Sequence, residues 1–170
     1  MLVAFLGDGE TARAALQYNL VAYGVTSFGL YFIMSVVGKD GPENMSSLRG
    51  LSRRHPGLAA LLVLCMISLA GIPPLAGFLG KFMLFSAAAA QGHYMLVGLA
   101  VANAVISFYY YMLVVKEAYI TEPAGDAPHA AAAIRLSWSR KLALGVFSVL
   151  LLVLGLCPGA GAWLAARGGP

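Results

Sequence analysis

Between Gly57 and Ala90 the chain carries a single charged side chain, Lys81. As one α-helix this run would extend about 50 Å at 1.5 Å per residue. The hydrocarbon core of a bilayer is only about 30 Å thick, so one straight, upright helix does not fit. The segment LAGIPPLAGF marks where the helix gives way. Pro73 and Pro74 each lack a backbone N–H and clash with the turn before them. Gly71 and Gly77 flank the pair. Backbone groups freed at membrane depth are tolerated only inside protein or beside a wet cavity, and broken helices recur as ion sites in transporters.

Three further regions are long and apolar enough to cross a membrane, at about 14–37, 95–115 and 142–163. With the broken run at 57–90 they predict an all-α, polytopic membrane helix bundle of about four spans, forming one membrane domain over 1–170. Of the 170 residues, 60% are hydrophobic and 11% charged, against about 25% charged in a soluble domain. So few charges cannot cover so much apolar surface in water, which excludes an ordinary cytosolic enzyme, a disordered chain and a nucleic-acid binder. The continuous apolar runs also lack the alternation of barrel strands. Cys65 and Cys157 lie within apolar runs, with no metal-ligand spacing around them, and read as small buried hydrophobes. The N-terminal MLVAFLG is too short, and lacks the basic flank, for a signal peptide.

The net charge of +4 reports topology. The loop at 38–56 holds Lys39, Arg49, Arg53 and Arg54. The connection at 116–141 holds Lys116, Arg135, Arg140 and Lys141, and the short AAAAQGHY turn holds none. The positive-inside rule then places both long connections in the cytoplasm, and the short turn and both termini outside.

Lys81 lies about two helical turns beyond the second proline. If the span ended near Leu79, the side chain would snorkel to the interface. Yet FMLFSAAAA continues apolar after it, and the proline break explains the excess length, so the residue is expected at depth. One central lysine costs about 2.5–3.5 kcal/mol on the insertion scale, and intramembrane ionisable groups mark ion pathways. Lysine can release and regain a proton, whereas arginine stays charged.

Other polar groups in the spans are weaker signals. Asn19, Tyr23 and Ser27 recur at i, i+4, i+8, and Asn103 and Ser107 at i, i+4. They either line a hydrated path beside Lys81 or serve as interhelical hydrogen-bond glue. Tyr109, Tyr110 and Tyr111 read as an interfacial belt. Glu117 reads as a solvated interfacial pair with Lys116, and His55, His93 and His129 as loop or turn residues. Ala76 with Gly80, and Gly98 with Ala102, are small pairs that permit close helix packing.

The segment SLAGIPPLAGFLGKF resembles the broken helix of the antiporter-like subunits of respiratory complex I, in the proton-conducting membrane transporter family. YNLVAYGVTSFGLYFIMS and the loop ending LRGLSRRHP are similar to what precedes that motif, and ISFYYYMLVVKEAYI to the helix after it. The resemblance runs from about Gln17 to Ile120, and the last span fits by position. Lysine in the GKF context resembles the N-type branch; the M-type carries Glu there, and the L-type places an acidic residue where Phe82 stands. The D-type subunit of multisubunit sodium/proton antiporters has a similar motif and is the alternative. A structural assembly piece, with Lys81 snorkelling, is the third reading.

The resemblance implies that Lys81 is a proton-relay site in a helix broken at Gly71, Pro73, Pro74 and Gly77. It implies the C-terminal part of a fourteen-helix subunit in a bacterial inner membrane, with both termini outside. Family members run to roughly three times this length, so the resemblance implies a fragment, a split product or a truncated chain, with MLVAFLG the tail of a preceding helix. No cofactor or metal is implied in this chain. NADH, FMN, iron–sulfur clusters and quinone would sit in partner subunits, and other membrane-arm subunits, the remainder of its own subunit and lipid would be the partners.

Overall fold

The computed structural model describes residues 10–38, 48–121 and 136–156. These form six helices and no strand: α1 Glu10–Val37, α2 Leu51–Arg54, α3 Pro56–Ala70, α4 Ala76–Ala90, α5 Tyr94–Tyr119 and α6 Trp138–Leu156. Among the described residues, three helices are long and apolar enough to cross a membrane: 13–37 within α1, α5 and α6. The fold is thus the all-helical bundle expected. Lys39, Arg135, His129, Cys157, Trp163 and Arg167 lie outside the described residues, as does the MLVAFLG segment.

The long central run is two helices. α3 and α4 have 15 residues each, about 22 Å apiece, and neither alone matches a core about 30 Å thick. α3 begins at Pro56, where a missing N–H costs a helix nothing. Its first turn is capped by His55, whose Nδ1 accepts from the Leu58 N–H at 3.2 Å. The sequence placed His55 in a loop without a role; here it satisfies one of the four orphan donors of a helix start. α3 stops at Gly71, whose φ of 81° is the left-handed conformation that glycine adopts at helix ends. The Pro73–Pro74 peptide is cis, and α4 starts with Leu75 as its N-cap.

α1 packs along both halves of the broken span, and α6 also touches both. The main core lies around α3, where Leu58, Leu61, Leu62 and Cys65 meet Ile33 and Val36 of α1 and Leu151 of α6. A second cluster sits at the break: Tyr18, Ala22, Ala76 and Leu154. There the Tyr18 hydroxyl donates to the Leu154 carbonyl at 2.6 Å, tying α1 to α6. α6 approaches closely because Gly155 has no side chain. A Cβ there would run into the Pro74 carbonyl oxygen and lie 2.7 Å from the Leu75 Cα.

α4 and α5 join through Gln91–His93, with Gly92 at φ 83°. α5 leans on α3 and leaves most of its surface open, with Met95 80% and Val105 66% exposed. An apolar face this large is suited to lipid or to neighbouring helices, not water. The tyrosine triplet divides, as 100° per residue requires. Tyr109 and Tyr110 are exposed, while Tyr111 turns toward α3. Two expectations are corrected. Glu117 pairs with Arg49, Nε to Oε2 at 2.9 Å, and not with its neighbour Lys116, so the first long loop is tethered to the end of α5. Gly98 makes no close helix contact, since a Cβ there would meet nothing within 4 Å.

Gly155→Ala is expected to cost about 1–3 kcal/mol through overpacking against the break. Gly145→Ala, where a Cβ meets nothing within 4 Å, is expected to be neutral. The thermal midpoint of the detergent-solubilised protein separates the two.

Candidate functional site

In an α-helix each N–H bonds the carbonyl four residues earlier. Pro73 and Pro74 have no N–H, so the carbonyls of Leu69 and Ala70 lose their helical donors. The Gly71 N–H goes to Ile67 and Ser68, each at 3.1 Å, and the Ile72 N–H returns to Ile67 at 3.2 Å. The two carbonyls left over are taken by one side chain. Lys81 Nζ donates to the Leu69 oxygen at 2.7 Å and to the Ala70 oxygen at 3.2 Å. The ammonium thus occupies the place of the two donors that the prolines removed, at the negative end of α3 where a cation is favoured.

Small residues make room for this arrangement. At Gly71 a Cβ would lie 3.1 Å from Lys81 Cδ and 3.3 Å from Nζ, so the lysine stem passes where any other side chain would begin. Gly77 falls in the first turn of α4 and not in the break itself; a Cβ there would collide with the Ser68 carbonyl. At Gly80 it would come within 2.7 Å of Asn19 Oδ1, which sets the close contact of α4 with α1.

Lys81 lies between two cavities of different character. One, of about 430 Å³, is lined by Asn19, Tyr23, Thr26, Ser68, Asn103, Ser107 and Tyr111 among others. The other, of about 350 Å³, is walled by Phe78, Phe82, Phe85 and Phe108. Of the polar residues read from the sequence, Asn19, Tyr23, Asn103 and Ser107 meet Lys81 in the first cavity. Ser27 does not line it. Four residues advance 400° around a helix, so two such steps leave Ser27 some 80° away from Asn19. Thr26, seven residues on, returns to within about 20° and holds the position instead. Thr26 stands with Asn19, Tyr23 and Ser27 among the polar residues of that span, and the arithmetic selects it over Ser27. Tyr111 belongs to the triplet read as an interfacial belt and lines the cavity instead, while Ser68 carries no comparable signal. His93 stands at the start of α5 without a side-chain capping bond.

Two hydroxyls in the cavity wall are bonded. Thr26 Oγ1 donates to the Ala22 carbonyl at 2.7 Å and lies 3.2 Å from Ser68 Oγ. Ser68 Oγ accepts from the Gly77 N–H at 3.3 Å. Ser107 bonds back to the Asn103 backbone carbonyl at 2.9 Å, and both residues line the cavity. The whole is an amine beside a cavity whose largely apolar wall carries several polar groups, with an aromatic-walled cavity on its other side.

If this cavity holds water, Asn103→Cys and Ser107→Cys are expected to react with a water-soluble maleimide in intact membranes. Ser27→Cys, turned off the cavity face, is expected to label at least about tenfold more slowly, because the thiolate that reacts needs solvent. Equal labelling of all three would contradict the cavity's boundaries.

Known proteins share this architecture. The family described as NADH:quinone oxidoreductase/Mrp antiporter, transmembrane, matches residues 1–107. NADH-quinone oxidoreductase subunit N 2 of Syntrophobacter fumaroxidans is 39% identical over 159 residues, covering 93% of this chain and 33% of the relative. Its counterpart from Herpetosiphon aurantiacus is 36% identical, covering 93% and 29%. Among solved structures, a chain of respiratory complex I from Thermus thermophilus with bound aureothin superposes with a TM-score of 0.75 at 30% identity, over 89% of this chain and 36% of that one. The chain spans about a third of the length of the curated relatives it matches. With most of its length matched and the broken helix in place, this chain belongs to the transmembrane family shared by NADH:quinone oxidoreductases and Mrp antiporters.

Proposed function

We propose that this chain forms the C-terminal part of an N-type antiporter-like subunit in the membrane arm of a proton-translocating NADH:quinone oxidoreductase, and that Lys81 relays protons there. The observation that carries the reading is the placement of Lys81. It is the charged side chain of the broken span, it closes the break through the Leu69 and Ala70 carbonyls, and it borders a cavity with polar groups in its wall. The N-type relatives at 39% and 36% identity support the choice within the family.

On this reading the chain acts as one subunit of an enzyme and carries no redox centre. NADH, FMN, the iron–sulfur clusters and quinone belong to partner subunits. The partners are the remainder of its own fourteen-helix subunit, neighbouring membrane-arm subunits and lipid, in a bacterial inner membrane. The alternation of basic loops supports an arrangement with 38–56 and 116–141 in the cytoplasm and both termini outside. A relay needs a group that gives up its proton and takes it back. Tyr23, Asn19, Asn103 and Ser107 supply hydrogen-bonding walls for the water that would deliver it.

Two substitutions in the assembled enzyme separate the relay from the cap. Lys81→Ala removes both and is expected to lower NADH:quinone turnover and proton uptake into inverted vesicles by at least about tenfold. Lys81→Arg keeps a charged donor for the carbonyls but cannot deprotonate, and is expected to lose proton uptake while the enzyme still assembles. Unchanged turnover and proton-to-electron ratio in Lys81→Arg would sink the relay.

A further inference from the structure

We propose that Ser68 is a positioning residue for Lys81, held in that role by Thr26. The inference rests on the reading of Lys81 as the group that exchanges protons. It begins with the order of the hydrogen bonds. A hydroxyl has one proton to donate, and that of Thr26 is committed to the Ala22 carbonyl at 2.7 Å. In the Thr26–Ser68 contact of 3.2 Å Ser68 is therefore the donor. Ser68 Oγ in turn accepts from the Gly77 N–H. The result is a one-way chain from the backbone N–H of Gly77, through the hydroxyls of Ser68 and Thr26, to the carbonyl of Ala22. It links α4 to α3 and α3 to α1, and both hydroxyl residues are 1% exposed.

The chain sits one rung from the lysine clamp. Gly77 precedes Lys81 by four residues, one helical turn, and Ser68 immediately precedes Leu69. The bond from Gly77 to Ser68 therefore fixes the same two half-helices that the ammonium joins. A slip of Gly77 past Ser68 is a slip of Lys81 past its carbonyls. The fit at this rung has little slack, because a Cβ at Gly77 would collide with the Ser68 carbonyl. Two buried hydroxyls are costly unless both are bonded, and here each bond is needed to satisfy the next. Thr26 orients the Ser68 hydroxyl outward to α1, which leaves the Ser68 lone pairs to the α4 backbone.

The test uses the assembled enzyme in inverted vesicles, with proton translocation normalised to enzyme content on native gels. Ser68→Ala is expected to lower translocation per assembled enzyme roughly three- to tenfold, the range of one hydrogen bond, and to lower the ratio of protons moved to NADH oxidised. Thr26→Val, which keeps the shape and removes the hydroxyl, is expected to act in the same direction. Thr26→Ser, which restores the hydroxyl, is expected to recover most of the loss. The double variant Ser68→Ala/Thr26→Val is expected to be no worse than Ser68→Ala alone, because the two act as one unit. Should Ser68→Ala fail to assemble, the Thr26 pair carries the test. A loss that follows enzyme content alone, with translocation per enzyme unchanged, overturns the inference, as does failure of Thr26→Ser to recover. Lys81→Ala is measured in parallel. If it abolishes translocation while Ser68→Ala does not lower it, positioning fails and the relay stands; if Lys81→Ala itself has no effect, both fall.

Discussion

The bonds from the Lys81 ammonium to the Leu69 and Ala70 carbonyls supply the donors that the prolines remove where an apolar span breaks. Each unpaired backbone group there costs several kcal/mol, roughly, and two adjacent prolines create two of them at once. Among the described residues, no turn or cap N–H goes to either oxygen. A flexible side chain arriving from the next helix resolves the problem from outside α3. The rest of the break follows from those bonds. Gly71 must be bare for the lysine stem to pass, and Gly77 must be bare for α4 to start close enough to α3.

α1 and α6 supply the frame that keeps the two halves aligned. α1 runs the length of both, with Asn19 against Gly80 and Ala22 against Ala76. α6 closes the opposite side, where Gly155 meets the backbone of Pro74 and Leu75. Neither contact is strongly hydrophobic in the sense of a soluble core. Close approach of backbones through small residues, with a few buried hydrogen bonds, is how helices associate where lipid competes equally for apolar side chains. α5 stands apart from this frame and contributes one polar wall of the cavity. Its open outer face is consistent with a chain that covers about a third of its relatives' length.

Much of this was legible in the residues alone. Proline and glycine act on the backbone directly, so the position of the break needed no tertiary information. The apolar residues that follow Lys81 likewise continue as helix, to Ala90. Features that depend on which helices meet were not legible. Glu117 looked paired with Lys116 because they are adjacent, but successive residues on a helix point about 100° apart, and the true partner Arg49 lies on another element. The cavity face of α1 was misjudged at one position, Ser27, by treating a spacing of four as a closed turn. Ser68 escaped notice because a lone serine in an apolar run has no periodic signature. Its importance comes from lying opposite Gly77 across the break.

The two bonds that hold Lys81 also aim it. A protonated amine presents three hydrogens in tetrahedral array, and two of them are directed at Leu69 and Ala70. Were the third to leave, as the proposed relay requires, the nitrogen would keep both hydrogens on the carbonyls, and its lone pair would point along the direction the third had taken. On the proposed relay, the break would stay closed in either charge state, and the amine would take its next proton from one fixed side. What the prolines removed from the backbone thus gives the side chain a stereochemistry that a lysine in solution lacks.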